Sequence, residues 1–317
     1  MNARAEIALR HTERLEHDLG VIREWLQEPN VIEIMLNPDG YLWVECAGRA
    51  PECRGQMPWH QAETLMKTLA ALKGAVLDQR NPVIECTLPF DGSRFSGTIE
   101  PVSPPSFNIR RRALKIFSLG EYVESGAISD QQAAILRRAI AARRNIVVVG
   151  GTGSGKTTLA NALIAEIAVV HPAHRLVIIE DTPEIQCASK NVVYMWTSEN
   201  FDIQRALRVT MRRRPDRIIV GEVRGGEART LIEAWNTGHA GGIATVHANN
   251  ARAGLHRLQS LCALGGAPQM QEFIGEAVDV LVFISNTDAG RRVEEIVAVK
   301  GYAHGAYHFS QPETNDA

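Results

Sequence analysis

The sequence predicts an α/β protein: a larger domain built on a mainly parallel sheet, preceded by a smaller α+β domain. Three observations lead there. From about residue 121 onward, short aliphatic runs alternate with helical segments, the pattern of strands buried on both faces and joined by crossover helices. Ahead of that point the apolar runs are separated mainly by turn chemistry, as in an antiparallel sheet. Between the two regions Pro101, Pro104 and Pro105 interrupt regular structure and Arg110-Arg111-Arg112 concentrates charge. The predicted boundaries are therefore 1–107 for the first domain, 108–120 for a linker and 121–317 for the second domain.

Taken in order, residues 1 to about 30 read as helix, because Ile7, Leu9, Leu15, Leu19, Ile22 and Leu26 recur at roughly helical spacing among charges. Strands are predicted at 31–36 and 41–45. They flank Asn37-Pro38-Asp39-Gly40, which is hairpin-turn chemistry. A helix near 59–71 and strands near 83–88, 93–99 and 106–110 complete the first domain. In the second, helices near 130–142, 156–168, 203–211 and 228–236 alternate with strands near 145–149, 175–180, 217–220 and 242–247. Strands near 280–285 and 294–300 are expected at the sheet edge.

Composition narrows the function classes. The chain has 317 residues, a hydrophobic content of 45% and a formal net charge of -2, so no global field draws it to nucleic acid or acidic lipid. Direct nucleic-acid binding is not expected. Five cysteines, none in a CxxC pair, argue against a structural zinc site or a disulfide framework. No apolar run approaches the ~20 residues needed to cross a bilayer. A cytoplasmic location is expected, with any membrane association peripheral.

The chemistry starts at Gly150, Gly151, Thr152, Gly153, Ser154, Gly155, Lys156, Thr157 and Thr158, which satisfy G-x-x-x-x-G-K-[ST]. The motif follows a predicted buried strand and opens a predicted helix. Successive backbone amides and the helix dipole then face a phosphate chain. Lys156 is expected to reach the β and γ phosphates and the Thr157 hydroxyl to ligate Mg²⁺, so the ligand is a nucleoside triphosphate such as ATP.

Hydrolysis also needs carboxylates at neighbouring strand ends. One group, Glu180, Asp181 and Glu184, follows an aliphatic run and is expected to share the metal with Thr157. Asp181 or Glu184 could instead cap a helix or pair with arginine. A second run, Ile218-Ile219-Val220, is followed by Gly221 where an Mg²⁺-binding Asp usually stands, and then by Glu222, placed to orient or deprotonate the attacking water. His239 and His247 bracket a glycine pair and a strand. Their spacing alone leaves open whether they sense phosphate or serve structure.

These segments carry a resemblance. GGTGSGKTT, EDTPEI, RRRPDRIIVGEVRGGEA and TGHAGGIATVHANNA, in this order, resemble the four nucleotide-site boxes of the VirB11/PilT/GspE secretion ATPase superfamily. The segment NVIEIMLNPDGYLWVE resembles the opening of its VirB11 branch. The resemblance implies a RecA-like carboxyl-terminal domain, a PAS-like amino-terminal domain and a homo-oligomer, a hexameric ring, with nucleotide held between the two domains. It places the acidic box on Glu180–Glu184, the catalytic glutamate on Glu222 and the histidine box on His239 and His247. Of these, His239 is expected to contact phosphate and His247 to be catalytic. It also implies that Arg94 and Arg110 meet the γ-phosphate, with Arg111 or Arg112 as alternatives to Arg110. Gly221 agrees with the superfamily pattern. Only Cys262 follows the second carboxylate run, which does not match the four-cysteine module of type II secretion ATPases. Residues 255–317 hold no counterpart of the retraction-motor signature AIRNLIRE. What remains is the type IV secretion or conjugation branch, with inner-membrane channel proteins as partners and DNA transfer or pilus assembly as the process.

Overall fold

The computed structural model describes residues 14–112, 115–198, 200–287 and 290–312. The chain divides into two compact units, Met1–Leu114 and Lys115–Ala317. In the first unit, residues 14–19 are helical and α1 (Val21–Trp25) follows. Leu15, Leu19, Ile22 and Leu26 are all buried, as the helical spacing predicts; Ile7 and Leu9 lie outside the described residues. The Asn-Pro-Asp-Gly segment turns β1 (Val31–Leu36) into β2 (Tyr41–Cys46). There the Gly40 amide donates to the Asn37 carbonyl at 2.9 Å, and Asp39 Oδ1 accepts from the Tyr41 amide at 3.0 Å.

Then come β3 (Glu52–Gln56), α2 (Trp59–Leu72), β4 (Val83–Thr87), β5 (Arg94–Thr98) and β6 (Ser106–Arg110). The six strands form one antiparallel sheet in the order β3-β2-β1-β6-β5-β4, and α2 buries Ala62, Leu65, Met66 and Leu69 in its core. The β3 strand was not predicted: Glu-Cys-Arg-Gly-Gln buries nothing fully, so no apolar alternation marks it. The strand predicted at 106–110 is β6, which hydrogen-bonds β1 on one side and β5 on the other, so the linker expected at 108–120 overlaps its last three residues. Phe107 and Ile109 point into the core and Arg110 points out.

The second unit opens with α3 (Leu119–Glu124), which was not predicted, and α4 (Asp130–Ala141). Each starts with a full capping box, Ser118 with Glu121 and Ser129 with Gln132. After them come β7 (Ile146–Val149), α5 (Lys156–Val170), β8 (Leu176–Glu180), β9 (Val192–Trp196), α6 (Ile203–Thr210), β10 (Arg217–Val220), α7 (Glu227–Asn236), β11 (Ile243–Val246), α8 (Ala251–Leu264), α9 (Gln271–Ala277), β12 (Val280–Thr287), β13 (Gly290–Ala303) and β14 (Ala306–Ser310). The sheet order is β14-β13-β12-β7-β11-β10-β8-β9. From β12 to β9 every pairing is parallel, and β13 and β14 add an antiparallel extension.

Both faces are covered, which is why the strands read as unbroken aliphatic runs. Val147, Val149, Ile218 and Val220 face the helices α6 to α9, whereas Ile146, Val148 and Ile219 face α3 to α5. The expectation of edge strands near 280–285 and 294–300 is corrected for both, since β13 lies between β12 and β14. The strand near 280–285 is not at the edge: β12 lies between β7 and β13, and its Val280, Leu281, Val282 and Ile284 are buried. The continuous apolar run is the mark of that interior place.

The edge where the parallel strands enter the sheet is tied by two buried polar side chains. Asn145 Oδ1 accepts from the amides of Gly241 and Gly242 at 2.8 Å each, and its Nδ2 donates to the Ala277 carbonyl at 2.7 Å. Arg217, 1% exposed, donates to the Gly241 carbonyl (2.9 Å), the Ile140 carbonyl (2.8 Å) and His174 Nδ1 (3.2 Å). Burial lowers the Arg217 pKa to about 10.

Candidate active site

The parallel strands leave the sheet at the opposite edge, and most of the predicted site residues of this unit gather there. The loop Gly150–Thr158 joins β7 to α5. Gly155 takes φ 95°, a left-handed backbone that a side chain would strain, and this lets the chain turn straight into the helix. No side chain caps the amino terminus of α5, so its first amides remain available to an anion, as the motif requires. The Lys156 side chain is buried and folds back over the loop, its Nζ donating to the Gly151 carbonyl at 2.7 Å. Ser154 Oγ donates to the same carbonyl at 2.9 Å.

The exit of β11 brings His247 beside this lysine, because β11 runs parallel to β7 with Val246 opposite Val149. His247 Nδ1 is 3.3 Å from Lys156 Nζ. Its Nε2 lies 2.6 Å from Glu222 Oε1, close but without hydrogen-bond alignment. Glu222 in turn accepts from Arg224 through Oε2. Burial and the positive charge of Lys156 hold the His247 pKa below the ordinary histidine value, against the opposing pull of Glu222. The imidazole is thus neutral at neutral pH, accepting from Lys156 on Nδ1 and carrying its proton on Nε2. The result is a relay of Lys156, His247, Glu222 and Arg224 along one edge of the loop. Arg224 was not singled out from the sequence; it lies two residues beyond Glu222, and its guanidinium is held above its ordinary pKa by that carboxylate.

The acidic box divides its labour. Thr157 Oγ1 donates to Glu184 Oε2 at 3.0 Å, so a helix-start hydroxyl and a carboxylate sit together. Glu180 is buried, and its Oε1 accepts from the amides of Glu184 (2.9 Å) and Ile185 (2.8 Å), which shapes the segment that presents Glu184. Asp181 Oδ1 accepts from Thr197 at 2.9 Å. Of the four residues expected to share a metal, Thr157 and Glu184 therefore meet at the loop, while Glu180 accepts from backbone amides and Asp181 from the Thr197 hydroxyl. Among the described residues no group of three or more His, Cys, Asp or Glu forms a metal cage. Two hard oxygen donors beside a phosphate loop fit Mg²⁺, which keeps several waters and phosphate oxygens of its own.

Gly221 also receives a physical explanation. A Cβ there would lie 2.9 Å from Glu180 Cγ and 3.3 Å from its Oε1. Glu180 from the neighbouring strand fills the space that an Asp at this position would need. Thr245 Oγ1 fixes the place by donating to the Gly221 carbonyl at 2.7 Å.

The two histidines separate. Ile243 pairs with Ile146 and Val246 with Val149, so β11 enters at the edge opposite the loop and leaves beside it. His239 precedes β11 and lies at the entry edge, with Nδ1 3.2 Å from the Ala234 carbonyl at the end of α7. The strand between the two histidines spans the sheet, and the expected placement of His239 on the phosphate of this loop is corrected accordingly. In the first unit, Arg94 and Arg110 are direct cross-strand partners of β5 and β6. Arg111 turns inward instead, donating to the Glu28 and Val31 carbonyls. That leaves Arg110, not Arg111, displayed beside Arg94.

With this geometry established, three comparisons are informative. Residues 16–282 match the family described as "Type II/IV secretion system protein". The chain is 49% identical over 292 residues to a probable conjugal transfer protein TrbB of Sinorhizobium fredii, covering 92% of this chain and 90% of that protein. It is likewise 49% identical over 292 residues to the conjugal transfer protein TrbB of Rhizobium radiobacter, covering 91% and 90%. Among solved structures, the pilus retraction motor PilT with bound ADP is similar in fold, with a TM-score of 0.64, 21% identity, and coverage of 92% of this chain and 82% of that one.

Proposed function

The chain belongs to the type II/IV secretion system protein family, and from that premise we propose that it hydrolyses ATP with Mg²⁺ to power conjugative transfer through a type IV secretion system. The observation that carries this reading is the line from Lys156 through His247 to Glu222, which joins a phosphate-binding loop to a carboxylate at the end of the adjoining strands. A triphosphate on the loop would draw Lys156 Nζ from the Gly151 carbonyl and His247 toward the β and γ phosphates. Glu222, released from that contact, orients a water in line with the γ-phosphorus and accepts its proton. Thr157 and Glu184 would hold the Mg²⁺, whose charge offsets that developing on the transferred phosphoryl group.

Arg94 and Arg110, paired across two strands, are proposed to supply further cationic charge to the γ-phosphate, so that its loss on hydrolysis changes what they hold. The protein is proposed to act as a homo-oligomer, a hexameric ring. It would work in the cytoplasm against inner-membrane channel proteins of the secretion system, with association to the membrane through them. No described helix is long and apolar enough to cross a membrane. DNA transfer and pilus assembly are two outputs that one motor of this kind can drive.

Phosphate release from the purified protein tests the chemistry. Lys156→Ala is expected to abolish Mg²⁺-dependent turnover, and Glu222→Gln to bind nucleotide while losing at least about 100-fold in rate. Turnover at the wild-type rate in Lys156→Ala sinks the assignment. Complementation of a transfer-deficient strain, scoring DNA transfer and pili separately, tests the process.

A further inference from the structure

We infer that Arg291 is a nucleotide-binding residue, a cation that grips the α-phosphate side of the bound nucleotide. The inference rests on the triphosphatase reading above and extends it to a residue on the other flank of the loop. Strand β12 runs parallel to β7 with Phe283 opposite Val149, so its next residues pass alongside the start of the phosphate loop. The hairpin continues beyond the end of β7, and its returning strand β13 sets Arg291 opposite Asn286. There the Arg291 stem lies directly on the loop. A Cβ on Gly155 would be 3.0 Å from Arg291 Cδ and 3.6 Å from its Nε.

Three further points turn contact into function. Arg291 is exposed, and no described carboxylate pairs with it, so its donors are open to an anion. Its charge is felt at the buried Tyr122 hydroxyl of α3, which places the guanidinium on the β12–β13 flank of the loop. The third point is direction. Lys156, His247 and Glu222 mark where the γ-phosphate reacts, and the latter two stand at the ends of β11 and β10. Those strands lie on one side of β7, and β12 and β13 lie on the other. A triphosphate crossing the loop with its reacting end at Glu222 presents its nucleoside end to the hairpin, where a forked, permanently charged guanidinium suits a phosphate oxygen pair.

A grip on the α-phosphate is shared by substrate and product, so it sets affinity and leaves the chemical step alone. The test uses the purified full chain with Arg291→Ala, and Arg291→Gln as a second variant. ADP and a non-hydrolysable ATP analogue are titrated by calorimetry, and steady-state phosphate release gives kcat and KM. The expected result is a weakening of both ligands by about 10-fold, a matching rise in KM, kcat within about two-fold of wild type, and an unchanged melting temperature. Wild-type ADP affinity in both variants overturns the inference, and so does a loss confined to kcat. Failure of the wild-type chain itself to bind ADP removes the triphosphatase reading and this inference with it, whereas wild-type turnover with indifferent variants removes only the inference.

Discussion

Replacing Gly221 by Ala probes the packing that gives this site an unusual carboxylate arrangement. Gly221 does not use a left-handed backbone, so conformation alone favours Ala by about 0.4–1 kcal/mol through the unfolded chain. Packing opposes it. The new methyl would sit 2.9 Å from Glu180 Cγ, whereas carbon atoms rest comfortably at ~3.5–4.0 Å, so Glu180 must retreat by roughly 0.6–1.1 Å. Its carboxylate is tied to the Glu184 and Ile185 amides at 2.9 and 2.8 Å, and a retreat of that size breaks at least one bond. A hydrogen bond to a charged group contributes about 1.5–3 kcal/mol. The net expectation is a loss of about 0.5–2.6 kcal/mol in urea unfolding of the full chain. In a Glu180→Ala background the obstacle is gone and the same substitution is neutral or mildly stabilising. An equal cost in both backgrounds, or a Gly221→Ala protein within about 0.5 kcal/mol of wild type, refutes the reasoning.

Other outcomes follow from the entry edge of the sheet. Asn145→Ala removes three buried hydrogen bonds and strands the amides of Gly241 and Gly242; about 3 kcal/mol is expected, read as a melting temperature lower by roughly 6–12 °C. His174 resists protonation because it is partly buried and because the charges of His171 and Arg217 act on it. The unfolded chain takes up that proton first on acidification, so stability is intact above the ordinary histidine value of about 6.5 and declines as the pH falls below it. His247, lowered likewise, adds a decline of the same sign. Replacing His174 by Gln, which can still accept from Arg217, should shrink the difference in urea midpoint between about pH 7.5 and about pH 5.5 without removing it.

The sequence disclosed the second unit's sheet because its strands are buried on both faces. Arg217–Val220 was predicted to the residue, for a run of aliphatics bounded by Pro215 and Gly221 has no other good conformation. Val192–Trp196 escaped, although Val-Val-Tyr-Met-Trp has strand character, since it sits at the sheet edge and none of its side chains is fully buried. The amino-terminal hairpin was legible through its turn, and β3 was not, because pairing there depends on backbone bonds to β2 alone. At the site, the loop, Thr157, Glu184, Glu222 and His247 came together as their order along the strands implied. His239 did not, because spacing along a chain says nothing of which sheet edge a residue occupies until strand direction is known. Arg291 was hidden for the same reason: its neighbour Gly155 is far away in sequence and is reached only through the β12–β13 hairpin.

The place of β12 bears on how the gene can be edited. This strand zips along the full length of β7, which launches the phosphate loop, so a stop codon ahead of Val280 would lay bare one side of that strand and leave its ladder open to stray chains. Deletion series that trim inward from the carboxyl terminus are thus expected to yield insoluble protein well before they report on transfer. A purification tag is better fused beyond β14, where the sheet already ends.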